Sequence, residues 1–395
     1  MSYCYSNLRT KLENFNLENK RVLIRADCNV PISEGIIQND FRLKALLPTL
    51  HFIIEKKGRI VIATHLGRPK KQEPEFSTRQ LIPWFEKNNL HLEFAQTIDE
   101  AKKSTAQIVL LENLRFFAGE LGNDADFAKA LASCGDYYVC EAFGTVHRDH
   151  ASLTLTPLYF SPAHRTIGFL VEREIKSLNK LLDNPAQPFL VLLGGNKIET
   201  KLPLIKSLLE QKASIFLMPP LVFTFLAAQN KEIGKSFIEA NELTAAKKLL
   251  EDGRTRDHLL FPIDYLVAAQ NQKGALSLCN ADRFPANGYG ISVGPETVSL
   301  VIKQIGLARS IFFNAAVGFK ERPETLLPIN KILSALAQSN AYTVIGGGDS
   351  VEYAFDAGVA SQIKFLSTGG GAALAYLSKA DLPGLDPFIT QSGKS

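Results

Sequence analysis

Short apolar segments alternate with longer amphipathic segments along the whole chain. The apolar segments are rich in Val, Ile, Leu and Phe, as buried strands of a parallel sheet are, and the amphipathic segments have the length of crossover helices. The pattern predicts strands over 21–27, 59–65, 108–112, 136–142, 189–193, 214–218, 259–264, 311–314, 342–345 and 363–367. It predicts helices between them, for example over 44–56, 125–133, 202–211, 243–251 and 327–339. This alternation is typical of the α/β class.

The chain of 395 residues is long enough for two domains, or about three at most. Ser161-Pro162 precedes an amphipathic stretch over 169–184, which we interpret as a helix between two lobes rather than as a flexible linker. The predicted fold is two Rossmann-like lobes, each a mostly parallel sheet flanked by helices, joined by a hinge helix. The domains are placed at 1–168 and 185–381, and residues 382–395 are expected to return to the N-terminal domain as a tail.

Composition and charge restrict the class of protein. With 46% hydrophobic and 21% charged residues, the chain is not disordered. The net charge of +4 is spread along the chain, which argues against a nucleic-acid-binding protein. The five cysteines form no CxxC pair, so neither structural zinc nor a disulfide scaffold is expected. Without an apolar signal segment or a stretch of ~18 apolar residues, we expect a cytoplasmic protein with no membrane partner.

Charged side chains follow the predicted strands of the first half, where ligands of open α/β sheets bind. These side chains are Asp27, His65, Arg68, Arg115 and Arg148. The guanidinium groups would repel one another at one site without an anion between them, so we favour a pocket for a phosphorylated anion over a chance surface cluster. For Asp27 alone, a turn or capping role is the alternative. His147 and His150 have no carboxylate-rich partner motif, and zinc is not expected there.

Glycine clusters follow the predicted strands of the second half. They are Gly194-Gly195 with Lys197 and Lys201, Gly346 to Gly348 with Asp349, and Gly369 to Gly371. Backbone N–H groups at such turns, together with the positive end of a helix dipole, can hold phosphate. Neither GxxxxGK[ST] nor GxGxxG occurs. Asp349 is a candidate Mg2+ ligand or, alternatively, a helix cap. The two halves together predict an enzyme that unites two phosphorylated substrates.

In their order along the chain, these motifs resemble the phosphoglycerate kinase family. The resemblance is carried by Arg25–Pro31, His65–Arg68, Leu111–Phe116, Ala142–Arg148, Gly194–Lys201, Ile345–Asp349 and Ser367–Gly371. It covers essentially the whole chain. It implies reversible phosphoryl transfer between 1,3-bisphosphoglycerate and Mg-ADP, giving 3-phosphoglycerate and Mg-ATP in glycolysis. It also implies Mg2+ as cofactor, ADP or ATP as co-substrate, and a monomer.

The resemblance further implies roles for individual residues. The acid substrate would be bound by Asp27, Asn29, Arg42, His65, Leu66, Gly67, Arg68, Arg115 and Arg148. The nucleotide would be held by Lys197, Lys201, Asn314, Glu321, Gly347, Gly348, Asp349 and Ser350, with Asp349 as the metal ligand. The catalytic set would be Arg42, Lys197, Lys201, Gly348 and Gly371. In that set Arg42 would reach the transferring phosphoryl group, Lys201 would stabilise its charge, and Gly371 would offer a backbone donor.

The second half departs from the family pattern in four places. Met218-Pro219-Pro220 stands where the family usually has glycines beside the adenine, which removes two N–H donors. Ala315-Ala316 replaces Gly-Pro, and Ser292 and Thr200 stand where acidic residues are common. The base preference therefore stays open. One alternative is a relative that binds the acid but has altered or lost nucleotide binding. Another is a nicotinamide dehydrogenase, which the missing GxGxxG disfavours.

Overall fold

A computed structural model describes residues 10–195, 197–269 and 274–389. The described residues divide into two units. Unit 1 comprises those up to Lys176 together with those from Asp381 onward, and unit 2 comprises Ser177 to Ala380. In the ranges described, no helix is both long and apolar enough to cross a membrane.

Unit 1 is built on a parallel sheet. Its strands are β1 Arg21–Ala26, β2 Ile32–Ser33, β3 Ile36–Ile37, β4 Arg59–Ala63, β5 Glu93–Ala95, β6 Ile108–Leu111, β7 Tyr137–Glu141 and β8 Arg165–Ile167. Its helices are α1 Phe41–Glu55, α2 Ile82–Lys87, α3 Ile98–Lys103, α4 Ala118–Leu121, α5 Ala125–Ala132 and α6 Ala151–Thr154, and α7 Phe169–Leu182 begins in it and ends in unit 2. Six of these strands pair in the order β5-β6-β4-β1-β7-β8, and β2 and β3 form a separate hairpin.

The register of the central strands explains their apolar sequence. Leu23 of β1 lies between Val61 of β4 and Tyr138 of β7, and all three residues are buried. A strand covered on both faces needs a nearly continuous apolar run, which β1, β4, β6 and β7 all have. Because these strands are parallel and in register, their carboxyl ends meet at one edge of the sheet.

Unit 2 contains a second parallel sheet and a smaller antiparallel one. Its strands are β9 Phe189–Leu193, β10 Ser214–Leu217, β11 Leu259–Leu260, β12 Asp264–Ala268, β13 Leu276–Asn280, β14 Tyr289–Val293, β15 Ser310–Asn314, β16 Tyr342–Ile345 and β17 Phe365–Leu366. Its helices are α8 Leu202–Glu210, α9 Leu221–Ala228, α10 Leu243–Glu251, α11 Gly253–Arg256, α12 Pro295–Leu307, α13 Leu327–Gln338, α14 Gly348–Asp356 and α15 Gly371–Leu377. The parallel order is β11-β10-β9-β15-β16-β17, and the antiparallel order is β13-β12-β14.

The α/β fold with a mostly parallel sheet in each half is confirmed, but one predicted strand is wrong. The range 259–264 is divided between β11, in the parallel sheet, and β12, in the antiparallel sheet. Pro262 lies between the two strands and has no backbone N–H for a sheet ladder. The antiparallel sheet itself was not predicted, because the side chains of β13 are partly or fully exposed and its sequence has no apolar run.

Helix α7 starts with a buried carboxylate at its first turn. Glu141 accepts hydrogen bonds from the backbone N–H groups of Leu170 and Val171, each over 3.1 Å, and a hydroxyl hydrogen bond from Thr49 of α1. A carboxylate is favoured at a helix N-terminus, where free N–H groups point outward. The division between the two units falls within this helix, after Lys176.

Residues 382–389 lie in unit 1. The backbone N–H of Gly384 donates to the carbonyl of Val146 over 2.9 Å, and the ring of Phe388 stacks on Tyr138. Residues 390–395 of the predicted tail, and Asn196 of the first glycine motif, lie outside the described residues.

Candidate functional site

The carboxyl edge of the unit 1 sheet carries a group of cationic and imidazole side chains, which we call the basic cluster. It consists of Arg42, His65, Arg68, Arg115, His147, Arg148 and His150. His65 follows β4, Arg115 follows β6, and the last three follow β7. These residues lie close enough to lower one another's pKa values in addition to the effect of burial. The charge of Arg115 lowers the pKa of His65 and of His150. The charge of Arg68 lowers the pKa of Arg115, and the charge of Arg148 lowers the pKa of His147.

Asp27 and Asn29 hold one side of the basic cluster in place. Nη1 of Arg42 lies 3.2 Å from Oδ2 of Asp27 and donates to the carbonyl of Asn29 over 3.1 Å. Oδ1 of Asn29 accepts the backbone N–H of Gly67 over 2.8 Å. The residues after β1 are thereby tied both to α1 and to the loop after β4.

Gly67 is required by the shape of this loop. Its φ is +63°, and a Cβ at this position would collide with the ring of Phe76. Its carbonyl accepts a hydrogen bond from Nη1 of Arg115 over 2.5 Å. The preceding Leu66 has a buried side chain, and its carbonyl accepts from Nδ2 of Asn113 over 2.8 Å. The Leu66–Gly67 backbone therefore positions the Arg115 guanidinium.

Several buried polar atoms of this site have no hydrogen-bond partner among the described residues. They are Nδ1 of His65, His147 and His150, Nε of Arg115 and Oδ2 of Asp27, although that oxygen does form the ion pair with Arg42. His65 is only 3% exposed. Buried polar atoms are normally satisfied, so a cluster of unsatisfied ones indicates a position where a ligand supplies the partners.

The histidines of the basic cluster are neutral at physiological pH. Burial, followed by the charges of Arg25 and Arg115, holds the pKa of His65 well below its usual value. Burial lowers the pKa of both His147 and His150 to about 4, with Arg148 and Arg25 as the next causes. Burial also lowers the pKa of Arg115, with Arg25 as the next cause. The positive charge of the site therefore resides on its arginines, which suit phosphate and carboxylate groups.

Unit 1 also contains a buried ion pair, whose acidic member no sequence motif predicts. Arg25 is 1% exposed and Glu120 is fully buried, with 3.7 Å between Nη2 and Oε1. Oγ of Ser152 accepts from Nε of Arg25 and donates to Oε1 of Glu120, both over 2.7 Å. Glu120 lies on the short helix α4, outside every recognised motif. It compensates a charge that otherwise would be buried alone.

In unit 2, Lys201 and Asn314 form the centre of a second site. Nζ of Lys201 donates to Oδ1 of Asn314 over 2.5 Å, and Nδ2 of Asn314 donates to the carbonyl of Gly346 over 2.7 Å. Gly347 follows with φ +99°, and a Cβ there would collide with the Asn314 amide. Burial lowers the pKa of Lys201 to about 8, against the opposing charge of Asp349.

Asp349 lies at the beginning of α14 beside a cleft. Its side chain is exposed, and the next residue, Ser350, donates to the carbonyl of Ala315 over 3.2 Å. The cleft has a volume of about 280 Å³. It is lined by Gly195, Pro220, Ser236, Phe237, Tyr289, Gly290, Ile291, Ala316, Gly318, Phe319 and Asp349. Two of the positions that depart from the family pattern, Pro220 and Ala316, therefore lie in its wall.

The structure brings some, but not all, of the predicted nucleotide residues together. Lys201, Asn314, Gly347 and Asp349 are linked by the contacts above. Lys197 and Glu321 have exposed side chains on separate loops. Gly348 and Gly371 are the first residues of α14 and α15.

Comparison with known proteins gives a consistent result. Residues 12–379 match the family model described as phosphoglycerate kinase. The phosphoglycerate kinase of Finegoldia magna is 36% identical over 388 residues, covering 95% of this chain and 98% of that protein. The phosphoglycerate kinase of Chlorobium chlorochromatii is 37% identical over 391 residues, covering 95% and 98%.

Solved structures agree with the sequence comparisons. The phosphoglycerate kinase structure from Coxiella burnetii superimposes with a TM-score of 0.82 at 33% identity, covering 96% of this chain and 98% of that one. The phosphoglycerate kinase structure from Pyrococcus horikoshii gives a TM-score of 0.85 at 28% identity, with coverage of 96% and 98%.

Proposed function

Because the chain belongs to the phosphoglycerate kinase family, we propose that the basic cluster of unit 1 binds 3-phosphoglycerate and that the loops around Lys201 bind the phosphates of ADP or ATP. The reaction of the family is reversible phosphoryl transfer between 1,3-bisphosphoglycerate and ADP, a step of glycolysis.

The observation that carries the first assignment is the buried and unsatisfied group around His65 and Arg115. Nδ1 of His65 and Nε of Arg115 are buried without a hydrogen-bond partner in the described part of the chain. Burial is the main cause of the lowered pKa of Arg115, and the charges of Arg25 and Arg68 lower it further, because the guanidinium groups repel one another. A bound phosphate or carboxylate relieves this repulsion and supplies the missing acceptors.

Asp27 and Asn29 suit the hydroxyl and carboxyl end of the acid. Apart from its ion pair with Arg42, Oδ2 of Asp27 has no hydrogen-bond partner among the described residues, so it can accept a ligand hydroxyl. Oδ1 of Asn29 is occupied by the Gly67 N–H, which leaves its Nδ2 to donate to a carboxylate. Arg42 is held by both residues and is only partly exposed, so we assign it to the transferring phosphoryl group.

Phosphoryl transfer depends mainly on positioning and on neutralising charge. We assign Lys201 to the charge on the phosphoryl group during transfer, and Lys197 with the N–H groups of Gly348 and Gly371 to the nucleotide phosphates. Asn314, Gly347 and Ser350 complete that side, and Glu321 is assigned to the ribose.

Asp349 is the proposed ligand of Mg2+. The described residues contain no group of three His, Cys, Asp or Glu side chains that could hold a metal by themselves. One exposed carboxylate beside a phosphate site fits Mg2+, which commonly binds through one or two carboxylates and the substrate phosphates. When bound, the ion neutralises negative charge on those phosphates.

A coupled assay with 3-phosphoglycerate and Mg-ATP tests the proposal, because turnover should depend on both substrates and on the metal. Calorimetry separates the alternative: 3-phosphoglycerate binding without ADP or ATP binding would identify a family member that has lost its nucleotide site. The same titrations with GDP and pyrimidine diphosphates measure which nucleotide base the cleft beside Pro220 prefers. Absence of 3-phosphoglycerate binding would contradict the assignment of the basic cluster.

We also propose that the enzyme is a cytoplasmic monomer. Light scattering on the purified full chain should give a mass near 43.5 kDa. Twice that mass would contradict the monomer.

A further inference from the structure

Glu239 joins two parts of unit 2 that lie far apart in the sequence. It lies between α9 and α10, and its Oε2 accepts the backbone N–H of Ile198 over 2.7 Å. Its own backbone N–H donates to Oγ1 of Thr224, a residue of α9 that is 1% exposed. The carboxylate is therefore anchored to a helix on one side and holds the loop after β9 on the other.

Ile198 is the residue on which the turn before α8 is built. Its carbonyl accepts the N–H groups of Lys201, over 2.7 Å, and of Leu202, over 3.0 Å. Its side chain is 1% exposed, so the turn is packed as well as hydrogen-bonded. The N–H of Ile198, four residues before α8 begins, donates to the Glu239 carboxylate and not to the backbone of the turn.

Lys201 continues this chain of contacts to the proposed phosphoryl-transfer site. Its backbone is held by Ile198, and its Nζ reaches Asn314. A shift of the Ile198 turn would move the base of the Lys201 side chain and misalign its ammonium group. Displacements of about 1 Å are costly for a group that acts by position.

The segment that carries Glu239 is fixed independently. Oγ of Ser236 accepts the N–H of Gly290 over 2.9 Å and donates to the carbonyl of Ile233 over 2.6 Å. The backbone N–H of Lys235 donates to the carbonyl of Gly288 over 2.8 Å. The segment can therefore serve as a fixed support for the lysine turn.

We propose that Glu239 is a positioning residue for phosphoryl transfer, because by accepting the N–H of Ile198 it fixes the turn from which Lys201 reaches Asn314. The inference rests on the proposed role of Lys201. It assigns Glu239 no contact with substrate.

Three variants of the full-length chain separate the hydrogen bond from the charge. Glu239→Ala removes the acceptor, whereas Glu239→Gln removes the charge but keeps an oxygen that can accept the Ile198 N–H. Glu232→Ala removes an exposed carboxylate from the same connection between α9 and α10 and is the charge-matched control.

We expect Glu239→Ala to lower kcat roughly tenfold or more, the scale of a lost charge-assisted hydrogen bond, with the KM for 3-phosphoglycerate unchanged. We expect Glu239→Gln to recover most of the activity and Glu232→Ala to equal the wild type.

Hydrogen exchange measured by mass spectrometry gives a readout that does not depend on activity. Peptides over 198–205 should exchange faster in Glu239→Ala than in Glu239→Gln or Glu232→Ala, while peptides of unit 1 stay unchanged. Equal exchange and equal kcat in all variants would overturn the inference. Faster exchange with unchanged kcat would also overturn it, because Glu239 would then be only a local cap. A wild-type enzyme without turnover would instead refute the proposed function itself.

Discussion

The ammonium group of Lys201 donates to Oδ1 of Asn314 over 2.5 Å, and both side chains are more than nine-tenths buried. The amide of Asn314 cannot turn freely, because its Nδ2 donates to the carbonyl of Gly346. This arrangement holds a cation at the carboxyl ends of β15 and β16, next to the glycine turns of the proposed phosphate site. Burial raises the free-energy cost of the charge, which is why the pKa of Lys201 falls to about 8.

Replacing Lys201 with alanine should affect turnover far more than substrate binding. The charge that Lys201 is assigned to stabilise develops mainly in the transition state, so we expect kcat to fall about 10²- to 10³-fold. The Kd of 3-phosphoglycerate, measured by calorimetry, should stay within about twofold because the basic cluster belongs to unit 1. Lys206→Ala, at an exposed position on α8, the helix that begins directly after Lys201, is the control. Equal losses in kcat from both variants would contradict the role of Lys201.

Turnover should also decline at alkaline pH. Lys201 loses its proton as the pH rises through about 8, and the neutral amine cannot stabilise the transferring phosphoryl group. The measurement is kcat/KM between pH 6 and 10, because its pH dependence reports the ionisation of groups in the free enzyme. In Lys201→Arg the guanidinium stays protonated over this range, so the decline should disappear even if the maximum rate is lower. An unchanged decline in Lys201→Arg would show that another group titrates.

Replacing Arg148 with alanine should weaken binding of the acid substrate. Arg148 is an exposed guanidinium at the edge of the basic cluster, and loss of a charge-assisted hydrogen bond predicts a Kd increased roughly 10- to 100-fold. The remaining affinity should depend less on salt, because one screened attraction is gone. Calorimetric titrations between low and high NaCl concentration measure both effects. Lys129→Ala removes an exposed cation on α5, and a change of the same size there would exclude a specific contact.

The buried Glu141 should make unit 1 less stable as the pH rises. Burial raises its pKa from 4.5 to about 7, so between these values the unfolded chain releases a proton that the folded chain retains. The free energy of unfolding should therefore decrease from pH 4.5 to 7 and be independent of this group above that range. The shift in the pKa of Glu141 corresponds to a decrease in the free energy of unfolding on the order of 3 kcal/mol.

Urea unfolding followed by the fluorescence of Trp84 measures this effect, since Trp84 is the single tryptophan and lies in unit 1. Glu141→Gln should flatten the pH dependence in that window, whereas Glu55→Gln, at an exposed position at the end of α1, should preserve it. A pH dependence that persists in Glu141→Gln would mean that a different group titrates.

Much of the fold was predictable because its signals are local. The apolar runs of β1, β4, β6, β7, β9, β15 and β16 each lie within five or six neighbouring residues, and strand burial alone requires them. The glycine turns and the arginines follow these strands directly, so their place at the carboxyl edge follows from parallel topology. Pro262 marks the break within the range 259–264, but the antiparallel pairing of β12 was not predictable, because only its pairing partners distinguish it from a strand of the parallel sheet.

By itself, the sequence determined the class of fold, the order of its strands and helices along the chain, and which charged residues stand at strand ends. Only the tertiary structure decided which of those residues have partners. Lys201 and Asn314 are 113 positions apart, Arg25 and Ser152 are 127 apart, and Glu239 meets Ile198 across 41 positions. The physical reason is that secondary structure depends on the spacing of neighbouring side chains. A buried hydrogen bond between distant residues exists only once packing has excluded water from both groups.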